Sequence, residues 1–199
     1  EQIKKMFEDS DVEFEVKTVS NYFRHQESKL NYDQFLSDDS IEKARKYQDA
    51  YKEDLEKAEK EYGVDKNVIT AIMLVETRLG SNVGSSSVIN VLATMAALED
   101  PDIRELFWKE IPEDRRITKE EYDVKALKKA KWAYDELKAF IKYTQREGLD
   151  PSSINGSYAG AMGIAQFMPS NVLTLAKDGN QDGSINLFHH EDAIFSIAN

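Results

Sequence analysis

The stretch "VITAIMLVETRLG", Val68 to Gly80, places a carboxylate, Glu76, at the end of an otherwise apolar run. On a helix, Ile69, Ile72, Met73, Glu76 and Gly80 fall on one face by the three-and-four spacing. Val68, Ala71, Leu74 and Val75 cover much of the rest, so the pattern predicts a buried helix with an acid in its wall. A carboxyl desolvated there is held neutral near pH 7, the state a general acid needs. Gly80, one turn later, would leave room for a ligand beside it. The plain alternative, which periodicity alone favours, is that the helix simply surfaces at Glu76, where Thr77 and Arg78 begin a polar end.

A second constellation is "DGNQDGSINLFH", Asp178 to His189. Asp178, Asn180, Asp182 and Asn186 put side-chain oxygens at loop positions one, three, five and nine, with Gly183 at the sharp turn and Ile185 at position eight. That is the spacing of an EF-hand calcium loop, with Ser184 at the seventh position. Position twelve should be a bidentate carboxylate, and it is His189, a poor ligand for a hard cation. The expectation is a weak calcium site at Asp178, Asn180, Asp182, Ser184 and Asn186, with a turn-rich connection that binds nothing as the alternative.

The third is "LDPSSINGSYAGAMGIAQFMPSN", rich in Gly, Ser and Ala and with a single acid, Asp150. Small residues let backbone approach a ligand closely, and such loops on rigid scaffolds often carry function. Other chemistries drop out. With no cysteine, disulfides, thiolate metal sites and cysteine nucleophiles are excluded. His25, His189 and His190 offer no zinc spacing and read as solvated. Neither a Gly-x-Ser-x-Gly elbow nor a phosphate-binding glycine loop is present.

The elements that must position these groups are mostly helical. Ser40 to Tyr62 repeats apolar positions near three and four residues, Gly63 ends it, and Asp65 is placed to cap the helix that holds Glu76. Another helix covers "VINVLATMAALE". After Pro101 comes a charged amphipathic stretch that reads as two helices separated at Pro112. A chain of 199 residues with 41% hydrophobic and 32% charged residues can bury a sizeable core. The net charge of −11 disfavours nucleic acid and anionic membrane, which need Lys and Arg to dominate somewhere. No apolar run reaches transmembrane length, and the first residues have no signal-peptide core.

Taken in order, "VETRLG", "GSYAGAMGIAQFMPS" and "DGNQDGSINLFHHEDAIFSIAN" resemble the membrane-bound lytic transglycosylase B family, glycoside hydrolase family 103. The upstream segment from "NYDQF" to "EYGV" extends the resemblance, which covers roughly residues 30 to 98 and 140 to 199. It implies a mainly α, lysozyme-like catalytic core with a small EF-hand-like loop. Residues 1–62 would form an N-terminal helical arm packed on a core of 63–199. The implied activity is cleavage of the β-1,4 bond between N-acetylmuramic acid and N-acetylglucosamine in bacterial peptidoglycan, leaving 1,6-anhydro ends.

By position, Glu76 matches the family's single catalytic acid/base, Ser157 the serine that contacts that carboxyl, and Gln166 a sugar-binding glutamine. Met162 lies in the same cleft-lining segment, and Tyr32 matches a cleft tyrosine, although its spacing to Phe35 is one residue shorter than in the family. The resemblance further implies glycan strands as partner, no required cofactor, and a periplasmic or cell-envelope location; weak calcium stays possible from the loop spacing alone. Three departures accompany it: His189 in the calcium loop, an extra segment within 104–139, and a chain that stops at Asn199 where the family continues with further helices.

Ordinary glycosidases use two carboxylates, yet no second acid is paired with Glu76 or present in the glycine-rich block apart from Asp150. A reaction in which the substrate's own C6 hydroxyl is the nucleophile needs only one. The rival readings are a peptidoglycan-binding protein impaired in catalysis and a calcium-binding helical module.

Overall fold

The computed structural model describes residues 13–24, 31–113 and 116–199, and nearly all of its regular structure is helical. In chain order the elements are α1 (Val16–Arg24), a 3-10 turn at Tyr32–Leu36, α2 (Asp38–Ala50), α3 (Lys52–Tyr62), α4 (Lys66–Thr77), β1 (Ser86–Ser87), α5 (Val88–Ala96), α6 (Pro101–Glu110), α7 (Lys119–Glu147), β2 (Asn155–Gly156), α8 (Pro169–Leu175) and α9 (His190–Ala198). Among the described residues no helix is long and apolar enough to cross a membrane.

Local signals set most of the boundaries. Asp65 caps α4 by accepting the Asn67 N–H, and Ser37 and Ser87 cap α2 and α5 in the same way. Asp100 caps α6, whose first residue is Pro101. A reciprocal Thr118–Glu121 capping box opens α7, and Gly148, left-handed at φ 66°, closes it. The α6 and α7 helices lie on either side of Pro112, as the sequence predicts. The single helix expected from Ser40 to Tyr62 is instead two. It starts earlier, at Asp38, and breaks at Tyr51 (φ −111°, ψ 30°), although the Leu55 N–H still reaches the Tyr51 carbonyl at 3.0 Å.

The chain divides into two units. One consists of the described part of Glu1–His25 with Ser85–Ala161; the other runs from the described part of Gln26–Gly84 to Met162–Asn199. The expected boundary at 62/63 falls inside the second unit. The first unit packs Val19 of α1, Val91 and Met95 of α5, Phe107 of α6 and Tyr122, Ala126, Ala130 and Ala133 of α7 into one core. Alanines at the contact positions let the long α7 approach its neighbours closely. β1 and β2 pair antiparallel, Ser86 opposite Gly156 and Ser87 opposite Asn155. The second unit gathers Tyr47, Leu55, Ala58, Ile69, Met73, Ile164 and Ala165 with the α9 residues Ala193, Ile194, Phe195 and Ala198. His25 lies outside the described residues.

Candidate active site

Helix α4 is not buried all round. Ile69, Thr70, Met73, Leu74 and Thr77 face the core, while Val68 (49%), Ile72 (38%) and Val75 (40%) are exposed, and Glu76 with them. The expectation of a desolvated acid is therefore corrected: the helix surfaces at Glu76 and presents it beside aliphatic side chains. The physical reason is that α4 packs on α2, α3 and α9 along one side only.

Beyond Glu76 the chain makes a rigid reversal. Arg78 (φ 51°), Leu79 (φ 61°) and Gly80 (φ 86°) are all left-handed, a conformation that costs a non-glycine residue roughly 1–2 kcal/mol. Thr77 holds this strain in place. Its Oγ1 donates to the Ile164 carbonyl at 2.9 Å and accepts the Gly80 N–H at 3.0 Å, tying the end of the Glu76 helix to the glycine-rich block. Gly80 does not leave space for a ligand. A Cβ there would stand 3.0 Å from His190 Cε1 and 3.3 Å from Ile164.

Within the glycine-rich block, Met162 and Phe167 exchange backbone hydrogen bonds of 3.0 and 3.1 Å around a tight turn. Gly163 sits at φ 73°, and a Cβ there would be 2.4 Å from the Leu187 Cβ, so only glycine fits. Gln166, itself left-handed at φ 50°, donates through Nε2 to the Val83 carbonyl (3.1 Å) and the Gly163 carbonyl (2.9 Å). Its amide nitrogen thus pins the segment after Glu76, leaving its carbonyl oxygen to accept. Met162 is 1% exposed and serves as packing of this turn, with almost no surface to line a cleft.

Tyr32 is exposed on its 3-10 turn, which packs on the same helix end. Its ring lies 6.4 Å from that of Phe35, and the Arg78 guanidinium stands 5.6 Å above the Phe35 ring while donating to Gln34 Oε1. The second unit therefore brings Tyr32, Gln166 and Glu76 to segments joined through residues 77–83. Ser157 belongs to the first unit, just after β2. There its Oγ accepts the Ala159 (3.3 Å) and Ala161 (3.1 Å) N–H groups, so its own proton is left to donate.

The loop from Asp178 folds as a ladder of side-chain-to-backbone bonds. Asp178 accepts the Asp182 and Gly183 N–H groups at 3.1 and 2.9 Å, Asn180 accepts the Asp182 N–H at 3.0 Å, and Asp182 accepts the Ser184 N–H and hydroxyl at 2.9 and 2.8 Å. Asn186 accepts the Phe188 N–H at 3.1 Å. His189 is exposed. The carboxylate that reaches back to this loop is Asp192, which is 0% exposed and accepts the N–H groups of Gly179 (2.8 Å), Asn180 (3.4 Å) and Asn186 (2.7 Å). Burial pushes its pKa above the usual carboxylate range, opposed by those three donors. Among the described residues no three His, Cys, Asp or Glu side chains cluster closely enough to hold a metal ion.

His190 is not simply solvated. Its ring stacks 4.6 Å from Tyr51 and 5.4 Å from Tyr47, and its Nδ1 is 3.0 Å from the Tyr47 hydroxyl. Burial lowers its pKa below the ordinary imidazole value, with Glu191 opposing. Thr77, His190 and Asp192 carry no sequence signal of their own as members of this assembly. The one available hint is that "HHEDA" closes the calcium-type loop with an acid three residues late.

The comparisons with known proteins converge on one group. The transglycosylase SLT domain family matches residues 1–199. The membrane-bound lytic murein transglycosylase B of Escherichia coli (strain K12) is 31% identical over 165 residues, covering 83% of this chain and 38% of that protein. The crystal structure of the soluble lytic transglycosylase SltB1 from Pseudomonas aeruginosa superposes with a TM-score of 0.77 at 30% identity, covering 99% of this chain and 58% of that one. The Escherichia coli lytic transglycosylase Slt35, solved in complex with calcium, gives 0.66 at 27% identity, with 99% and 50% covered. The fold is the lysozyme-like helical one of these proteins, and the chain spans between 38% and 58% of their length.

Proposed function

The chain belongs to the transglycosylase SLT domain family, and from that premise we propose that it cleaves the β-1,4 bond between N-acetylmuramic acid and N-acetylglucosamine in peptidoglycan, in the periplasm or cell envelope of a bacterium, with Glu76 as its one acid/base. The observation that carries this reading is the build of the Glu76 helix end. A single exposed carboxyl beside Ile72 and Val75 is followed by a strained turn that Thr77 and Gln166 lock to the glycine-rich block. Strain held by specific bonds is a feature of sites whose geometry must be fixed before the substrate arrives.

In the proposed cycle the glycan covers Glu76 and its aliphatic neighbours, excluding water and favouring the neutral acid. Glu76 protonates the glycosidic oxygen as the C1–O bond breaks, and N-acetylglucosamine leaves with that proton. The resulting carboxylate takes the proton from the muramic C6 hydroxyl while O6 bonds to C1. The carboxyl is restored, no water is consumed, and no second carboxylate is required, unlike in hydrolytic glycosidases. Gln166, through its free carbonyl oxygen, Tyr32, through its exposed ring, and Ser157, through its hydroxyl proton, are the proposed glycan-binding groups.

No metal takes part in these steps. The oxygen donors of Asp178, Asn180, Asp182, Ser184 and Asn186 fit a hard cation in kind, and calcium bound there would rigidify the loop that packs Leu187 on Gly163. With two carboxylates in that set, weak binding is the proposal.

Glu76→Gln tests the reading on purified cell wall. Turnover should fall by several orders of magnitude while glycan retention persists. The parent's products should be about 18 Da lighter than hydrolysis products, one water per cut, because the internal hydroxyl outcompetes water by proximity. Reducing ends in the products would overturn the mechanism. Retention without any cleavage by the parent would make the chain a glycan binder.

A further inference from the structure

Helix α7 buries one side in the first unit through Tyr122, Ala126, Ala130, Ala133 and, further along, Leu137, Phe140 and Ile141. Its opposite side is unlike that of the other charged helices. Val124, Lys128, Lys131, Asp135, Lys138 and Lys142 succeed one another at steps of four and three, a continuous stripe about 27 Å long at 1.5 Å per residue. Leu127 and Tyr134 flank the stripe on one edge and Lys125 on the other.

On α2 the lysines are matched by acids one turn away, Lys43 with Asp39 and Lys46 with Glu42. On this stripe the only acid is Asp135, and Lys138 engages it at 2.8 Å. Among the described residues Lys125, Lys128, Lys131 and Lys142 make no ion pair within 4.0 Å, and all four stand one turn from another lysine, with Asp135 one turn from Lys131 and Glu121 one turn from Lys125 as the acids within reach. Val124, Leu127 and Tyr134 are 69%, 43% and 56% exposed between them. In a chain of net charge −11, positive charge is thus gathered on one helix face together with unburied apolar side chains.

We propose that this face of α7 docks on the surface of a bilayer containing anionic phospholipid. The lysines meet the headgroup phosphates, and Val124, Leu127 and Tyr134 enter the boundary between headgroups and acyl chains. Charge complementarity selects an anionic partner, because like charges spaced one turn apart repel until something negative lies across them. The interleaved aliphatic and aromatic side chains select a lipid surface over a soluble polyanion, which offers nothing for Val124 and Leu127 to enter. The rest of the molecule is acidic, so the contact is confined to this face and weakens steeply with salt. The net charge by itself counts against any anionic surface; the fold concentrates the lysines that make one possible.

Sedimentation with vesicles tests this, comparing phosphatidylcholine alone with phosphatidylcholine mixed with phosphatidylglycerol. The chain should pellet with the mixed vesicles at low ionic strength, stay in solution with the neutral ones, and be released by salt. Replacing Lys125, Lys128 and Lys131 by Gln should weaken the association roughly a hundredfold, about fivefold per lysine. Val124→Ser with Leu127→Ser should weaken it while leaving its salt dependence intact. All five positions are solvent-facing, and helical circular dichroism of each variant checks that the fold is kept. No association with mixed vesicles, equal association with neutral ones, or unchanged association of the lysine variant would each overturn the proposal. Retention on purified cell wall that the lysine variant loses, without vesicle binding, would overturn it in favour of an anionic polymer. Activity on glycan plays no part in the readout.

Discussion

Replacing Asp192 by Asn removes one acceptor from a site closed to bulk solvent. The carboxylate is 0% exposed and serves Gly179 and Asn180 through one oxygen and Asn186 through the other. Asparagine has the same shape but only one acceptor, so its NH2 must face either the Gly179 and Asn180 donors or the Asn186 donor. One buried N–H left unsatisfied costs about 1–3 kcal/mol, and the remaining bonds lose their charge assistance. Against this stands the relief of burying a neutral group, the same desolvation that raises the Asp192 pKa. The balance is a loss of about 2 kcal/mol, equivalent to a fall in Tm of roughly 4–8 °C for a chain of this size. Thermal unfolding at neutral pH, monitored by circular dichroism with a chelator present, measures it free of any metal linkage. A change under about 0.5 kcal/mol, the range of ordinary surface substitutions, would refute the reasoning. It would mean that the loop is held by its own Asx turns and that Asp192 contributes nothing net.

Because burial between Tyr47 and Tyr51 lowers the His190 pKa, the unfolded chain binds its proton more readily than the folded one. That contribution to stability is fully present above the unfolded value near 6.5 and is lost as pH falls through the window below it. Denaturation at a series of pH values should show a shallower loss between neutral and mildly acidic pH for His190→Phe, and parallel curves would refute this. For calcium, calorimetry should give a dissociation constant of about 10⁻⁴ M or weaker, tightened by His189→Asp. Sub-micromolar binding to the parent chain would mean that Asp192 abandons its backbone donors to become a ligand.

The sequence alone determined what depends on neighbours within one or two turns. The cap at Asp65, the stop at Gly63 and the break at Pro112 are local chemistry, legible wherever a side chain meets its own backbone. The ladder of Asp178, Asn180 and Asp182 is legible for the same reason. Tertiary structure decided which side of α4 is inside. Apolar residues surround that helix, so its sequence has no polar face to orient it. Only the one-sided packing of α2, α3 and α9 buries Ile69 and Met73 while leaving Ile72, Val75 and Glu76 at the surface. The same holds for the Thr77 bond to Ile164, 87 residues away, and for Gln166 reaching Val83. It holds again for Gly80, whose open side is filled by His190 from the far end of the chain. Such contacts leave no periodicity behind, because a hydrogen bond between distant segments constrains one atom on each and nothing between them.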